Sequence, residues 1–161
     1  MDRFEQFSTI APDIGNIFRY VSIGTAVPLV VAVIYREWEM ILPMASVPVA
    51  FFLLGTLLTL VPRQEREAPL SAALMAVALI WLISALVSAL PFVLGLGVPY
   101  LDAVFEAMSG WTDTGLTLMP SVEDLPRTLL FWRSLMQWLG GIGIVAFTIA
   151  MASRTGLTQF R

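Results

Sequence analysis

Cysteine and histidine are both absent from the 161-residue chain. Without a thiol there is no disulfide, thiolate nucleophile or thiolate metal site. Without an imidazole, the usual acid–base group and metal ligand near neutral pH is missing. Lysine is absent too, so all nine basic residues are arginine, a feature to which we attach no function. Charge is scarce: charged residues are 13% of the chain against 58% hydrophobic, with a mean hydropathy of +0.83. Soluble domains carry roughly 25% charged residues, so the composition describes an integral membrane protein whose first partner is membrane lipid. A net charge of −3 gives no reason to expect nucleic acid. The acidic residues fit no paired catalytic arrangement, so an intramembrane enzyme is not expected and no cofactor is implied. Asp2, Glu5 and Asp13 dilute the basic start of a secretory signal, and no small-residue cleavage pattern follows; a retained helix is expected.

What is abundant is uncharged sequence in long runs, enough for about four membrane spans of ~20 residues and no separate extramembranous domain. The first is residues 20–35, between Arg19 and Arg36, which reaches span length when extended back to include Ile14 to Phe18; Pro28 at mid-span predicts a kink. The second covers residues 40–62, with Pro43 and Pro48 near its start, where a first turn tolerates proline. A third helix is expected from Leu70 to Phe92, broken by Pro91 and the Gly95–Pro99 cluster, and a fourth from Pro126 to Ala152. Arg3, Arg19, Arg63, Arg66, Arg154 and Arg161 fall on one side of this layout, and Arg36 and Arg127 on the other. The positive-inside rule then puts both termini in the cytoplasm, and Asp102, Glu123 and Asp124 on the outer face, where they would modestly favour cations.

Between the third and fourth spans lies Phe105-Glu106-Ala107-Met108-Ser109-Gly110-Trp111-Thr112-Asp113-Thr114-Gly115-Leu116-Thr117. Tyr100 to Thr112 has helical character but would cover only ~20 Å of a ~30 Å hydrocarbon core. It should enter and return, with Thr112 to Thr117 as the extended return. Irregular backbone at membrane depth is tolerated where it is buried in protein or lines a water-filled path. Threonines ending in glycine can present a row of carbonyls that replaces the water around a small cation. Gly115 would aim its carbonyl through a backbone conformation open to glycine, or else is an ordinary helix C-cap. Arg133, ~10 Å into the last helix, requires a partner at that depth: Glu106 or Asp113, unless it snorkels outward. Gln137 follows one turn later on the same face. Gly140, Gly141 and Gly143 fit either a hinge or close helix contact. Trp38, Trp132 and Trp138 are expected at the outer boundary, and Trp111 against the return segment.

The Phe105–Gly115 block resembles the pore helix and filter of the Trk/Ktr/HKT potassium transporter superfamily. Phe131-Trp132-Arg133-Ser134-Leu135-Met136-Gln137-Trp138-Leu139-Gly140-Gly141-Ile142-Gly143-Ile144 resembles the helix after the first filter in TrkH-type subunits. With the spacing between the blocks and the preceding helices, the likeness covers nearly the whole chain. It implies an all-α membrane fold: residues 1–67 as an N-terminal two-helix hairpin, and 68–161 as one K⁺-channel-like repeat of outer helix, re-entrant pore helix, filter and inner helix.

By the same resemblance, the backbone carbonyls of Thr112, Asp113, Thr114 and Gly115 would bind K⁺, the transported ion and the only metal expected, while Glu106, Arg133 and Gln137 would brace the filter. Asp113 stands where the family commonly has threonine; its carboxylate would raise local cation affinity or pair behind the filter. A cytosolic nucleotide-binding regulatory subunit is implied as a partner, and the inner membrane of a prokaryote as the location. Four repeats surround one pore in the family, and this chain has one, with no internal period. Further repeats must come from other copies or chains if it is to conduct, a split or truncated product being the leading expectation. The alternative is a non-conducting membrane assembly module.

Overall fold

A computed structural model describes the backbone of residues 3–62 and 69–154 and the side chains of residues 7–62 and 69–152. The side chains of Arg3, Arg63, Arg66, Arg154 and Arg161 and the boundary after residue 67 lie outside the described residues. Secondary structure among the described residues is helical: α1 (Arg3–Gly24), α2 (Val27–Tyr35), a 3₁₀ turn (Trp38–Met40), α3 (Ile41–Thr59), α4 (Leu70–Ser88), α5 (Leu90–Leu96), α6 (Tyr100–Trp111) and α7 (Arg127–Arg154). Four stretches are long and apolar enough to cross a bilayer: Phe7–Tyr35, Trp38–Thr59, Leu70–Leu96 and Arg127–Ala152. The chain is a multi-pass membrane protein.

Proline sets where two spans break. Pro28 lies in the first turn of α2, and the break comes just before it, at Thr25 and Ala26. A proline ring crowds the carbonyl four residues back, here Gly24, the last residue of α1. The anticipated kink is therefore a full interruption placed one turn early. Pro91 acts alike: α4 ends at Ser88 and α5 opens with Pro91 in its first turn. Helix then persists to Leu96, past the expected end at Phe92, and stops where Gly97 adopts φ 67°. Pro43 lies in the first turn of α3, but Pro48 is inside that helix, as Pro12 is inside α1. Membrane helices tolerate such prolines because neighbouring groups take up the freed carbonyls.

The tightest seam joins α1 to α3. A Cβ on Gly15 would lie 2.7 Å from the Gly55 carbonyl oxygen, and one on Gly55 would lie 2.7 Å from that of Gly15. Small residues let membrane helices approach to backbone contact, where packing replaces the missing hydrophobic drive. Phe18 and Phe51 extend the seam with ring centroids 5.4 Å apart, and Phe51 meets Trp111 of α6 edge-on at 6.5 Å. The N-terminal hairpin thus packs directly behind the short helix. Trp132 and Met136 of α7 and Phe92 of α5 complete the buried core. On the opposite end, Glu37 accepts hydrogen bonds from the Arg127 N–H (2.8 Å), the Thr128 N–H (2.9 Å) and Thr128 Oγ1 (2.6 Å), capping α7 from the α2–α3 connection.

Candidate functional site

Twelve residues long, α6 spans only ~18 Å and cannot cross the hydrocarbon core. Its inward face buries Ala103, Glu106, Ala107, Ser109, Gly110 and Trp111 against α4 and α7. Its C-terminal end is stitched in place. The Trp111 carbonyl accepts a hydrogen bond from Trp81 Nε1 (3.0 Å), and Trp111 Nε1 donates to Ser88 Oγ (2.8 Å). Gly140 of α7 approaches so closely that a Cβ there would lie 2.0 Å from the Trp111 oxygen, and Gly110 packs on Met136.

Beyond Trp111 the chain turns back. Asp113 and Gly115 both take left-handed backbone, φ 55° and 76°. Asp113 N–H donates to Gly110 O (3.1 Å) and Thr114 N–H to Ser109 O (3.0 Å), folding the first residues under the helix end. Thr112 Oγ1 donates to Met108 O (2.8 Å) and shares a 2.7 Å hydrogen bond with Thr114 Oγ1. Both threonine hydroxyls are thereby used locally. Ser109 Oγ donates to Leu116 O (2.7 Å), drawing the returning strand against α6. Among the described residues, the carbonyls of Thr112, Asp113, Thr114 and Gly115 accept no hydrogen bond, and all four residues are exposed. A row of free carbonyls next to the negative end of a helix dipole attracts cations.

The polar anchor sits on the other side of that strand. Glu106, 1% exposed, holds Arg133 in an ion pair through Oε2, and through Oε1 accepts Thr117 Oγ1 (2.7 Å) and the Leu118 N–H. A buried carboxylate persists only when paired and hydrogen-bonded, and here one group ties α6, the return strand and α7 together. Of the two partners open to Arg133, the fold selects Glu106. Asp113 is not behind the strand: it is exposed and lines an open concavity of about 720 Å³ together with Ser134, Gln137, Trp138 and Gly141. Gln137, one turn from Arg133, thus faces the concavity instead of the ion pair.

The three glycines of α7 separate. Gly140 is a backbone contact with Trp111, Gly143 lies where a Cβ would be 3.0 Å from the Trp81 ring, and Gly141 has open space before it. The helix runs unbroken through all three. Trp132, expected at the outer boundary, is fully buried, because it points inward and its Nε1 donates to the Ser88 carbonyl (3.3 Å) at the C-terminal end of α4. Trp38 and Trp138 are exposed. Ser88, Ser109, Thr117 and Trp81 escaped sequence reasoning: each acts through hydrogen bonds to another element or to the return segment, and no local pattern marks the partner.

Comparison with known proteins gives this geometry a lineage. The model of the TrkH family, described as cation transport protein, matches residues 45–158. An uncharacterized cation transporter of Methanocaldococcus jannaschii is 36% identical over 148 residues, covering 91% of this chain and 31% of that protein. The Trk system potassium uptake protein TrkH of Escherichia coli is 31% identical over 157 residues, covering 94% of this chain and 32% of that one. The crystal structure of the potassium transporter TrkH from Vibrio parahaemolyticus superposes with a TM-score of 0.81 at 26% identity, over 94% of this chain and 32% of that chain. The chain spans about a third of the length of the relatives it matches. With the family match extending from α3 through the whole α6–α7 unit, the chain belongs to the TrkH family of cation transport proteins.

Proposed function

We propose that this chain supplies one quarter of a selectivity filter for channel-like K⁺ movement, as part of a potassium uptake transporter in the inner membrane of a prokaryote. The observation that carries the reading is the exposed, unpartnered carbonyl row of Thr112, Asp113, Thr114 and Gly115. Dehydrating an ion costs more than one strand can return, so four such segments must surround it, their carbonyls replacing its hydration shell. Residues 1–67 form the accessory hairpin of this unit and 68–161 its repeat. Glu106 and Arg133 brace the filter, and Gln137 and Asp113 face the permeation side. Thr112 and Thr114 contribute backbone, since their hydroxyls are engaged locally.

The orientation, with termini in the cytoplasm, rests on the arginine distribution, and it puts Asp102, in the first turn of α6, and Glu123 and Asp124, just before α7, on the outer side. A cytosolic nucleotide-binding subunit is the regulatory partner this reading includes. The test is a chimera: residues 45–158 replace the matching segment of the Vibrio relative, and ⁸⁶Rb⁺ flux into liposomes is measured against Na⁺ flux. The chimera is expected to conduct Rb⁺, and a Gly115→Val version to lose it. The 161-residue chain reconstituted alone is expected to stay silent. A folded chimera with undiminished Rb⁺ flux after Gly115→Val would remove the filter assignment.

A further inference from the structure

We infer that the outward face of α1, with α3, carries a binding site for an anionic phospholipid, anchored by Arg19. Asn16, Arg19, Tyr20 and Ile23 recur at helical spacing along one face of α1. With Ser22 and Phe52 they line a cavity of about 220 Å³. Arg19, Tyr20, Ile23 and Phe52 are exposed on the flank of spans that cross a bilayer. Arg19 makes no ion pair with another described residue, although it lies inside the Phe7–Tyr35 span. An arginine within a span has to reach the interface, and there it meets the anionic groups of the lipid headgroups.

The surroundings narrow the anion. The stem of Arg19 lies over Gly55, where a Cβ would come within 2.8 Å of Arg19 Cγ, so the missing side chain makes room for the arginine. Packing the stem leaves the guanidinium at the surface, preorganised to hold a phosphodiester through two N–H donors. Tyr20 and Asn16 add a hydroxyl and an amide donor, whereas Ser22 Oγ is occupied with the Arg19 carbonyl (2.7 Å). Gly55 precedes the end of α3 at Thr59 by about one turn, ~6 Å, which brings the guanidinium to headgroup depth in the leaflet nearer the N-terminus. From there Ile23 and Phe52 continue the cavity toward the bilayer centre, where an acyl chain runs and a free phosphate gains nothing. No acidic side chain lines the cavity, so one positive charge faces a lipid of net charge −1.

Native mass spectrometry of the detergent-solubilised chain tests this site with phosphatidylglycerol, phosphatidylcholine and inorganic phosphate as probes. One phosphatidylglycerol is expected to survive stepwise delipidation, phosphatidylcholine is expected to leave, and millimolar phosphate is expected not to compete. Arg19→Met should lower the one-lipid population about tenfold, the loss of a charge-assisted contact, and Arg19→Lys less. Should Arg19→Met fail to fold, Tyr20→Phe and Asn16→Ala leave the charge in place and are expected to weaken binding by a smaller factor. Retention of the lipid by folded Arg19→Met, or unchanged binding in both Tyr20→Phe and Asn16→Ala, overturns the proposal. So do equal retention of the two lipids and displacement by phosphate.

Discussion

Glu106 concentrates the electrostatics of this chain in one buried carboxylate. It accepts from Thr117 and Leu118 on one oxygen and holds Arg133 on the other, so the ion pair serves the return strand as much as the two helices. Removing one member of a buried pair is far worse than removing both, because the survivor keeps its desolvation cost without its partner. Arg133→Met is therefore expected to destabilise the fold by about 3–5 kcal/mol, and Glu106→Gln with Arg133→Met to recover much of that loss. Thermal unfolding in detergent micelles measures both, and equal melting of single and double variants would argue against the coupling. That Arg133 needed a partner was legible from its depth in the last helix. Which carboxylate would answer was not, because Glu106 and Asp113 are both near in sequence and differ only in the face they take.

Helix α7 owes its close placement against α6 to the side chain that Gly140 lacks. At Gly140 a Cβ would overlap the Trp111 carbonyl, whereas at Gly141 it would meet nothing within 4 Å. Gly140→Ala must push the inner helix away from the end of α6 and is expected to cost at least ~1–3 kcal/mol, as overpacking does. Gly141→Ala should be neutral or stabilising by up to ~1 kcal/mol through helix propensity. Folded yield and melting temperature of the two variants, side by side, check the contrast; similar losses at both positions would favour the hinge over the contact. The sequence pattern alone could not distinguish adjacent glycines on a helix, since a 100° step between them puts one on a neighbour and the other on open space.

At the level of the assembled chain, Glu37 ties the α2–α3 connection of the N-terminal hairpin to the start of α7, in addition to the Phe51–Trp111 contact with α6. Burial opposes ionisation of its carboxyl, but the Thr128 hydroxyl, the Thr128 and Arg127 N–H groups and the Arg127 charge outweigh it and hold it below the ordinary 4.5. A depressed pKa stabilises the fold fully above that ordinary value, and the contribution is lost as the pH falls through the folded-state pKa. Glu37→Ala is expected to cost about 1 kcal/mol at pH 7, the worth of a helix cap. The gap between wild type and variant should close as the pH drops below 4.5. Melting curves across pH 3.5–7 decide it (roughly the range over which a carboxyl titrates); a gap that persists at the acid end would assign the effect to packing.

Much of this architecture follows from local chemistry. Uncharged runs long enough to span hydrocarbon must be helices there, because lipid offers the backbone no other partner, and a run too short to cross, ending in Thr-Asp-Thr-Gly, must turn back. The breaks at Pro28 and Pro91 are equally local, although their offset toward the preceding turn reflects the ring's clash with the carbonyl behind it. The contacts that fix the site are of another kind. Glu37 with Thr128, Glu106 with Arg133, and Trp81 with Trp111 join residues far apart in the chain. Each depends on helix rotation and close approach through glycine, which packing sets and no single stretch of sequence encodes. The free carbonyls of Thr112 to Gly115 draw on both. Composition supplied the threonines and glycine, and the anchored surroundings left their carbonyls without a partner.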